Sequence, residues 1–243
     1  MPRARGRARS SPAPSTEVIP AAVTQYWDTQ FDAGSTVFDD GAFRLSVDPS
    51  LAPDRRVMVL VVGALTRAVV SPDIAAAVGA VASEGDFRSR LEGAGIQLNG
   101  ADCLHYLTSP VSADDQSVRR LTADDAELFA RFETATSEQD RDDAFVELDH
   151  WAVFGAVVDG ELVSAASAYP WGAAPLADMG VLTIDRARGA GHGRRVIQAL
   201  SAFALAEGLE PQYRCQLDNA ASIALAERAG FELYGTWDVV APE

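Results

Sequence analysis

The chain has 243 residues, a formal net charge of −15 and a hydrophobic fraction of 48%. This length allows one large domain or two small ones, and the apolar content is sufficient for a packed core. The acidic charge disfavours nucleic acid and anionic membranes as partners, because both attract positively charged surfaces. The longest apolar runs, such as Val57–Ala64, are shorter than the roughly 20 residues of a membrane-spanning helix.

Residues 1–17 predict a disordered basic tail, in which arginines at positions 3, 5, 7 and 9 precede a Ser/Pro-rich stretch. A nucleic-acid-touching arm is the alternative, and the apolar core of a secretory signal is missing. The two cysteines, Cys103 and Cys215, have no C-x-x-C spacing, and the three histidines form no metal-ligand pattern. We therefore expect a cytoplasmic protein with neither a disulfide framework nor a metal site.

The segment 18–112 predicts a mixture of helices and strands. One helix is expected over Ala21–Asp32, and a second begins after Ser71, with Pro72 in its first turn, and runs to about Ser83. The remaining elements, in chain order, are strands over Ala42–Val47, Arg56–Val62 and Ala64–Val70, a short helix over Gly85–Leu91 and a strand over Cys103–Leu107. We treat this stretch as an N-terminal α/β segment.

The segment 113–243 predicts a second α/β unit. Asp159-Gly160 joins two apolar runs as a strong hairpin signal. The predicted strands are Val118–Leu121, Ala152–Val158, Glu161–Tyr169, Asp178–Ile184, Gln212–Leu217 and Phe231–Val240, the last with a break near Gly235. The predicted helices begin at Thr122, at Ser137 (running to Leu148), after the turn 188–195 (ending at Gly208), and at Asn219 (ending at Gly230). The fold class expected is therefore α/β with a mixed sheet.

A glycine-rich turn between a strand and a helix carries the chemical signal. It reads Arg188-Gly189-Ala190-Gly191-His192-Gly193-Arg194. Glycines allow close approach of the backbone to a ligand, and the helix start offers free N–H groups to an anion such as pyrophosphate. A Rossmann site is excluded because Arg194 takes the place of the third glycine, and a P-loop is excluded because G-K-[ST] is missing.

The turn resembles the R/Q-x-x-G-x-G/A signature of the GNAT acetyltransferase superfamily, with Arg188, Gly191 and Gly193 at the matching positions. Downstream, Asn219 at a helix start and Gly230-Phe231 at its end look like the second signature of that family. The likeness covers about Leu121–Val240. The whole chain is also similar, more loosely, to a bacterial layout in which an α/β segment precedes an FR47-like GNAT domain.

The resemblance implies a GNAT acyl-CoA N-acyltransferase fold in which two parallel strands separate and acetyl-CoA lies between them. The partners would be acetyl-CoA and an unidentified amine, with direct attack of the amine on the thioester. The implied binding groups are the backbone of Val181, Leu182 and Thr183, Arg188 with the backbone of Gly189, Ala190, Gly191, His192, Gly193 and Arg194, and the side chains of Asn219 and Ser222.

For catalysis, the resemblance implies a backbone N–H near Leu182 for the oxyanion and a carboxylate base. Asp178 is the first choice for the base, with Glu147 and Asp149 behind it. Many family members carry a tyrosine on the last helix as proton donor to the thiolate, but that position is Ala226 here. Ser222, Tyr234, Cys215 or water would then replace it, or turnover is weak.

Three functional interpretations stay open at this level. An N-acetyltransferase is the leading one, a transferase of another acyl group keeps the same fold, and an acetyl-CoA-binding sensor or scaffold is favoured by Ala226. The segment 18–112 is expected to shape the acceptor pocket, as a degenerate GNAT-like half. Alternatively, the segment is purely structural or mediates dimerisation, and in the second case the protein would be a homodimer.

Overall fold

A computed structural model describes residues 18–109, 111 and 115–241. The predicted basic tail of residues 1–17 lies outside this range. All eleven strands of the described chain join one mixed sheet with the order β1-β2-β4-β3-β11-β5-β10-β9-β8-β7-β6. The α/β fold class with a mixed sheet is thus confirmed. No helix in the described ranges is long and apolar enough to cross a membrane.

The strands of the sheet occupy most of the predicted apolar runs. They span Ser35–Asp39 (β1), Phe43–Val47 (β2), Val57–Val62 (β3), Leu65–Val70 (β4), Asp102–Leu107 (β5), Val118–Arg120 (β6), Ala152–Val158 (β7), Glu161–Pro170 (β8), Leu176–Thr183 (β9), Glu210–Gln216 (β10) and Phe231–Val239 (β11). Among these described strands, β2–β4 and β9–β10 pair in parallel, and the other neighbours are antiparallel.

In the described ranges, seven α-helices cover the two faces of the sheet. They span Ala21–Asp32 (α1), Pro72–Val78 (α2), Glu84–Gly93 (α3), Ala126–Thr134 (α4), Glu138–Ala144 (α5), His192–Ala206 (α6) and Ala220–Ala229 (α7). In the N-terminal segment, α1 packs on the side chains of Met58 and Leu60, whereas α2 and α3 pack on Val57 and Val59. Since alternate residues of a strand point to opposite faces, these helices lie on opposite sides of the sheet.

The two predicted segments do not form separate sheets. Strand β5, from the N-terminal segment, lies between β10 and β11 of the C-terminal segment and pairs with both. Strand β11 in turn pairs with β3. The division at residue 112 and the GNAT-like character of the first segment stay predictions, but the two segments share one continuous hydrogen-bonded sheet.

The ends of several elements differ from the sequence predictions for local reasons. Helix α2 ends at Val78 because Gly79 leaves the helical region with a φ of 65°, not near Ser83 as predicted. Helix α5 ends at Ala144 instead of Leu148, because Phe145 adopts a left-handed conformation with a φ of 46°. Strand β1 was not predicted, since its residues are mostly exposed and lack an apolar alternation.

Candidate functional site

Strands β9 and β10 form a fork at their carboxyl ends. Their parallel pairing runs only as far as Met179 opposite Tyr213. Strand β9 continues to Thr183 and β10 to Gln216 without further pairing to each other. The opening leads into a cavity of about 810 Å³ lined by both strands, the glycine-rich turn and the neighbouring ends of α5 and α7. This is the arrangement of parallel strands that the resemblance implied.

The glycine-rich turn at the cavity has the backbone conformation that its sequence predicts. Gly189 and Gly191 have φ values of 78° and 80°, and Gly191 is the N-cap of α6. Gly193 is held close to its surroundings, since an added Cβ would lie 3.2 Å from the Thr183 hydroxyl. The first turn of α6 contains no acidic residue. Free N–H groups and the positive end of the helix dipole are therefore available to an anion at this position.

Arginines around the turn differ in their availability. Arg188 contacts Asp140 at 3.1 Å and Asp185 at 3.0 Å, and its Nε donates to the Thr183 carbonyl oxygen. Arg194 is exposed and lines the cavity; within the described part of the chain it has no ion-pair partner. The exposed Arg194 and the partly neutralised Arg188 both line the cavity, where each can contact the phosphate oxygens of a ligand.

His192, inside the turn, is oriented by the next arginine. Its Nδ1 lies 2.7 Å from a guanidinium nitrogen of Arg195. Burial, followed by the charge of Arg195, lowers the pKa of His192. The imidazole is therefore biased toward its neutral form, with Nδ1 as the hydrogen-bond acceptor.

The backbone of β9 alternates its N–H groups between β8 and the fork. Ile184, just beyond β9, donates its N–H to the carbonyl oxygen of Val163 in β8 over 3.1 Å, and the β8–β9 register has no bulge. Since successive residues direct their N–H groups to opposite sides, the N–H of Leu182 also points to β8. The N–H groups of Val181 and Thr183 point to the open side of the fork. The register therefore directs the Leu182 N–H away from the fork. It favours the N–H of Val181 as the backbone donor to the oxyanion.

Asp178 lies at the base of the fork and is only 4% exposed. Its Oδ1 accepts from Gln212 Nε2 at 2.8 Å and from Arg214 Nε at 2.9 Å. Its Oδ2 accepts from the Tyr169 hydroxyl at 2.9 Å and from Arg214 Nη2 at 2.8 Å. Burial, followed by the Asp178 charge, raises the pKa of Tyr169 to about 12. Both oxygens of Asp178 are therefore occupied by donors, which makes it a poor proton acceptor.

Arg214 joins three strands at the fork. Besides Asp178 of β9, it donates to Asp102 Oδ2 of β5 at 2.8 Å. Its guanidinium lies 4.6 Å from the ring centroid of Trp171, which donates to the Tyr26 hydroxyl of α1. Burial disfavours the charge of Arg214, but the Asp178 carboxylate more than offsets this and raises its pKa. The cation is thus permanent and ties the N-terminal segment to the fork.

A second link to the N-terminal segment runs through buried hydrogen bonds. The Tyr106 hydroxyl of β5 donates to Gln212 Oε1 and accepts from Trp27 Nε1 of α1 at 2.8 Å. Gln212 in turn donates to Asp178. The side-chain nitrogen and oxygen atoms of Trp27, Tyr106 and Gln212 thus all have hydrogen-bond partners, as a buried network requires.

A hydroxyl pair lies on the opposite face of the fork. The Tyr213 hydroxyl is 2.7 Å from Ser222 Oγ, and both residues line the cavity. Asn219 caps α7 by accepting the N–H of Ser222 at 3.0 Å. Burial raises the pKa of Tyr213 to about 12, so its proton stays bound at neutral pH. Ala226, one turn further along α7, is fully buried.

Other candidates from the sequence are less favourably placed. Neither Glu147 nor Asp149 lines the cavity, and Glu147 lies 3.6 Å from His150 Nε2. Tyr234 packs edge-on against Tyr106 and is also outside the cavity. Cys215 does line it, but burial raises the pKa of this thiol to about 11, which makes it a weak nucleophile.

Several cavity residues have no recognisable sequence signal. Asp102, Tyr213 and Arg214 come from strands whose pairing partners are distant in the sequence. Phe145 and Tyr169 contribute aromatic surface, with ring centroids 5.8 Å apart. A charged residue inside a predicted apolar strand, such as Arg214, is the one clue available from the sequence, because a buried charge needs a partner.

The glycine-rich turn and both strands of the fork lie within residues 117–231. Residues 117–231, 115 of the 243 residues, match the model of the acetyltransferase (GNAT) family. The match does not distinguish an FR47-like group, which stays a prediction. No curated protein matches the chain.

Solved structures resemble the chain in fold. A GNAT-family acetyltransferase from Colwellia psychrerythraea aligns with a TM-score of 0.50 at 15% identity, over 91% of this chain and 97% of its own. Another GNAT-family acetyltransferase, from Novosphingobium aromaticivorans, has a TM-score of 0.49 at 23% identity, over 61% and 68% of the two chains. The first alignment extends the similarity of fold across both segments.

Proposed function

We propose that the protein transfers an acetyl group from acetyl-CoA to an amine by direct attack of the amine on the thioester. The observation that carries this proposal is the fork of β9 and β10, which opens beside a glycine-rich turn at the start of α6. Where two parallel strands separate, their unpaired backbone groups can pair with the extended pantetheine arm of acetyl-CoA. The turn offers N–H groups to the diphosphate of the same molecule.

Substrate binding is assigned to the turn and to β9. The N–H groups of residues 189–194 would hold the pyrophosphate, with Arg188 and Arg194 adding positive charge. The carbonyl oxygen of Val181 and the peptide groups of Thr183 face the fork and would pair with the amides of the pantetheine arm. This binding mode needs no metal, and no cluster of three or more metal-binding side chains occurs among the described residues.

The oxyanion donor is assigned to the N–H of Val181 instead of Leu182. The negative charge that develops on the thioester oxygen needs a preorganised donor in a site with little water. The Val181 N–H points to the fork according to the β8–β9 register. Val181 lies on the strand that would face the pantetheine arm, one residue from Leu182, the position that the family resemblance implied.

Protonation of the leaving thiolate is assigned to the hydroxyl pair of Tyr213 and Ser222. Collapse of the tetrahedral adduct breaks the C–S bond and leaves CoA as a thiolate, which needs a proton. The 2.7 Å contact between the hydroxyls lets Ser222 relay a proton from Tyr213. This pair would compensate for Ala226, and Ala226 is the observation that favours the second candidate, a non-catalytic acetyl-CoA sensor.

Calorimetric titration with acetyl-CoA, using NADH and ATP as controls, tests the binding part of the proposal. Micromolar binding of acetyl-CoA alone is expected. Thiol release from acetyl-CoA with a panel of primary amines then separates an enzyme from a sensor, and the same assay with longer acyl-CoA substrates tests acyl preference. A folded protein that does not bind acetyl-CoA would refute both candidates.

A further inference from the structure

We infer that Asp102 of β5 is the general base that accepts the proton of the attacking amine. The inference rests on the proposed transferase function and adds a catalytic residue to it. Asp102 lies outside residues 117–231, which match the GNAT model. The N-terminal segment would then supply a catalytic group directly, in addition to its structural role.

The sheet register places Asp102 at the cavity. Asp102 is opposite Gln216 of β10, at the open end of the fork. It lies on the same face as Arg214 and Asp178, since the even-numbered residues of β5 and β10 are paired with each other. Its side chain is 23% exposed, and it lines the cavity. An acceptor entering on this face would therefore reach its carboxylate.

Asp102 has the free acceptor capacity that Asp178 lacks. Its Oδ2 is bound by Arg214, but no donor in the described ranges reaches its Oδ1. Asp178, by contrast, receives four hydrogen bonds from three side chains. A general base needs an oxygen within reach of the proton that it removes. Of the two carboxylates at the fork, only Asp102 offers one.

The surroundings of Asp102 favour a basic carboxylate. Burial raises its pKa, Arg214 opposes this effect, and the charges of Asp178 and Asp238 add to it. From α5, Asp140 and Asp143 also line the cavity.

The proposed proton transfer balances with the acyl transfer. The neutral amine attacks the thioester carbon, a C–N bond forms, and the nitrogen carries a positive charge. Oδ1 of Asp102 takes a proton from this nitrogen. The N–H protons of the adduct are far more acidic than those of a free ammonium ion. The C–S bond then breaks, the thiolate takes a proton from the hydroxyl pair of Tyr213 and Ser222, and solvent restores both groups.

The test compares Asp102→Asn with the control Glu210→Gln. Glu210 is a partly buried carboxylate at the start of β10 that does not line the cavity, and burial raises its pKa as well. Asparagine keeps an oxygen for Arg214 but cannot accept a proton. With the best primary amine of the panel, Asp102→Asn should lower kcat/KM by at least about 100-fold. It should also remove the loss of activity at low pH, because the protonated carboxyl of the wild type cannot act as a base.

Two further readouts separate catalysis from structure. Acetyl-CoA affinity should be unchanged, and thermal stability should not fall, because burial disfavours the charged carboxylate in the folded state. Wild-type activity and pH dependence in Asp102→Asn would overturn the inference, whereas absence of acetyl-CoA binding in the wild type would overturn the proposed function. If no amine of the panel is turned over, a ¹³C titration of the Asp102 carboxyl takes the place of the kinetic test. An Asp102 pKa at or below about 3.9 contradicts the inference, whereas a higher pKa supports it.

Discussion

At the scale of single residues, Gly191 is the position where the turn depends most on the absence of a side chain. Its φ of 80° belongs to the left-handed region, and an added Cβ would lie 3.2 Å from the Arg195 guanidinium. Gly191→Glu would place a carboxylate at the N-terminus of α6, in the space assigned to the pyrophosphate. We expect acetyl-CoA affinity to fall by at least about 100-fold, or ~2.7 kcal/mol, as measured by calorimetry.

Gly208 provides a matched control for this substitution. It follows the other end of α6 with a φ of 82°, and its Cβ position is free of contacts within 4 Å. Gly208→Glu therefore carries a similar backbone strain, about 1–2 kcal/mol, without an effect at the turn. Equal affinities of the two variants for acetyl-CoA would contradict the assignment of the phosphate site.

Tyr213 supports a prediction about the proton donor. Replacement by phenylalanine keeps the ring in its buried position but removes the hydroxyl that contacts Ser222. We expect kcat to fall by about 100-fold while acetyl-CoA binding is unchanged, because only the leaving group is affected. Steady-state kinetics with Tyr234→Phe as control measures this, since Tyr234 lies outside the cavity. A Tyr213→Phe variant with wild-type kcat would leave the proton to Ser222 alone or to water.

At the scale of elements, the contact of α5 with β9 depends on Gly180. A Cβ at this position would clash with the carbonyl oxygen of Ala144, at the end of α5. Since backbone cannot move aside as a flexible side chain does, Gly180→Ala should destabilise the protein by about 1–3 kcal/mol. Denaturant unfolding measures the change. Gly93→Ala, at a helical position with no atom within 4 Å of the added Cβ, should be neutral or stabilising by about 0.5–1 kcal/mol.

The same element level explains which predicted boundaries were accurate. The β7–β8 hairpin was predicted from Asp159-Gly160, and both residues have positive φ values, 51° and 80°, as a tight hairpin turn requires. The side chains of Ser137 and Asn219 cap their helices as hydrogen-bond acceptors. At Thr122 the backbone N–H donates to Asp125 Oδ2 at 3.0 Å. Local chemistry determines these ends, so the sequence alone predicts them.

At the scale of the whole molecule, the position of β5 determines whether the segments can fold apart. The fragment 113–243 would leave β10 and β11 without the strand that separates and pairs with both. Unpaired edges and an exposed apolar face are costly, so we expect this fragment to show no cooperative unfolding transition by circular dichroism. Co-expression with residues 1–112 should restore a folded complex. A stable, acetyl-CoA-binding fragment 113–243 would contradict the dependence on β5.

The glycine-rich turn, its flanking strand and helix, and the Asn-capped last helix were predicted from the sequence because each depends on residues close together in the chain. Glycine conformations, caps and apolar periodicity act over a few residues, and they were sufficient for the fold class and for the conformation of the turn around Gly191. The family match over residues 117–231 agrees with this local information.

Only the tertiary structure shows which carboxylate oxygens at the fork are occupied by hydrogen-bond donors. Asp178 seemed a free carboxylate in the sequence, but Arg214, Gln212 and Tyr169 occupy its oxygens in the fold. Asp102 enters the fork from a strand that is 112 residues from its partner Arg214. Such contacts depend on the order and register of strands, which arise from long-range pairing and from burial of the whole sheet. Local sequence patterns carry no information on either.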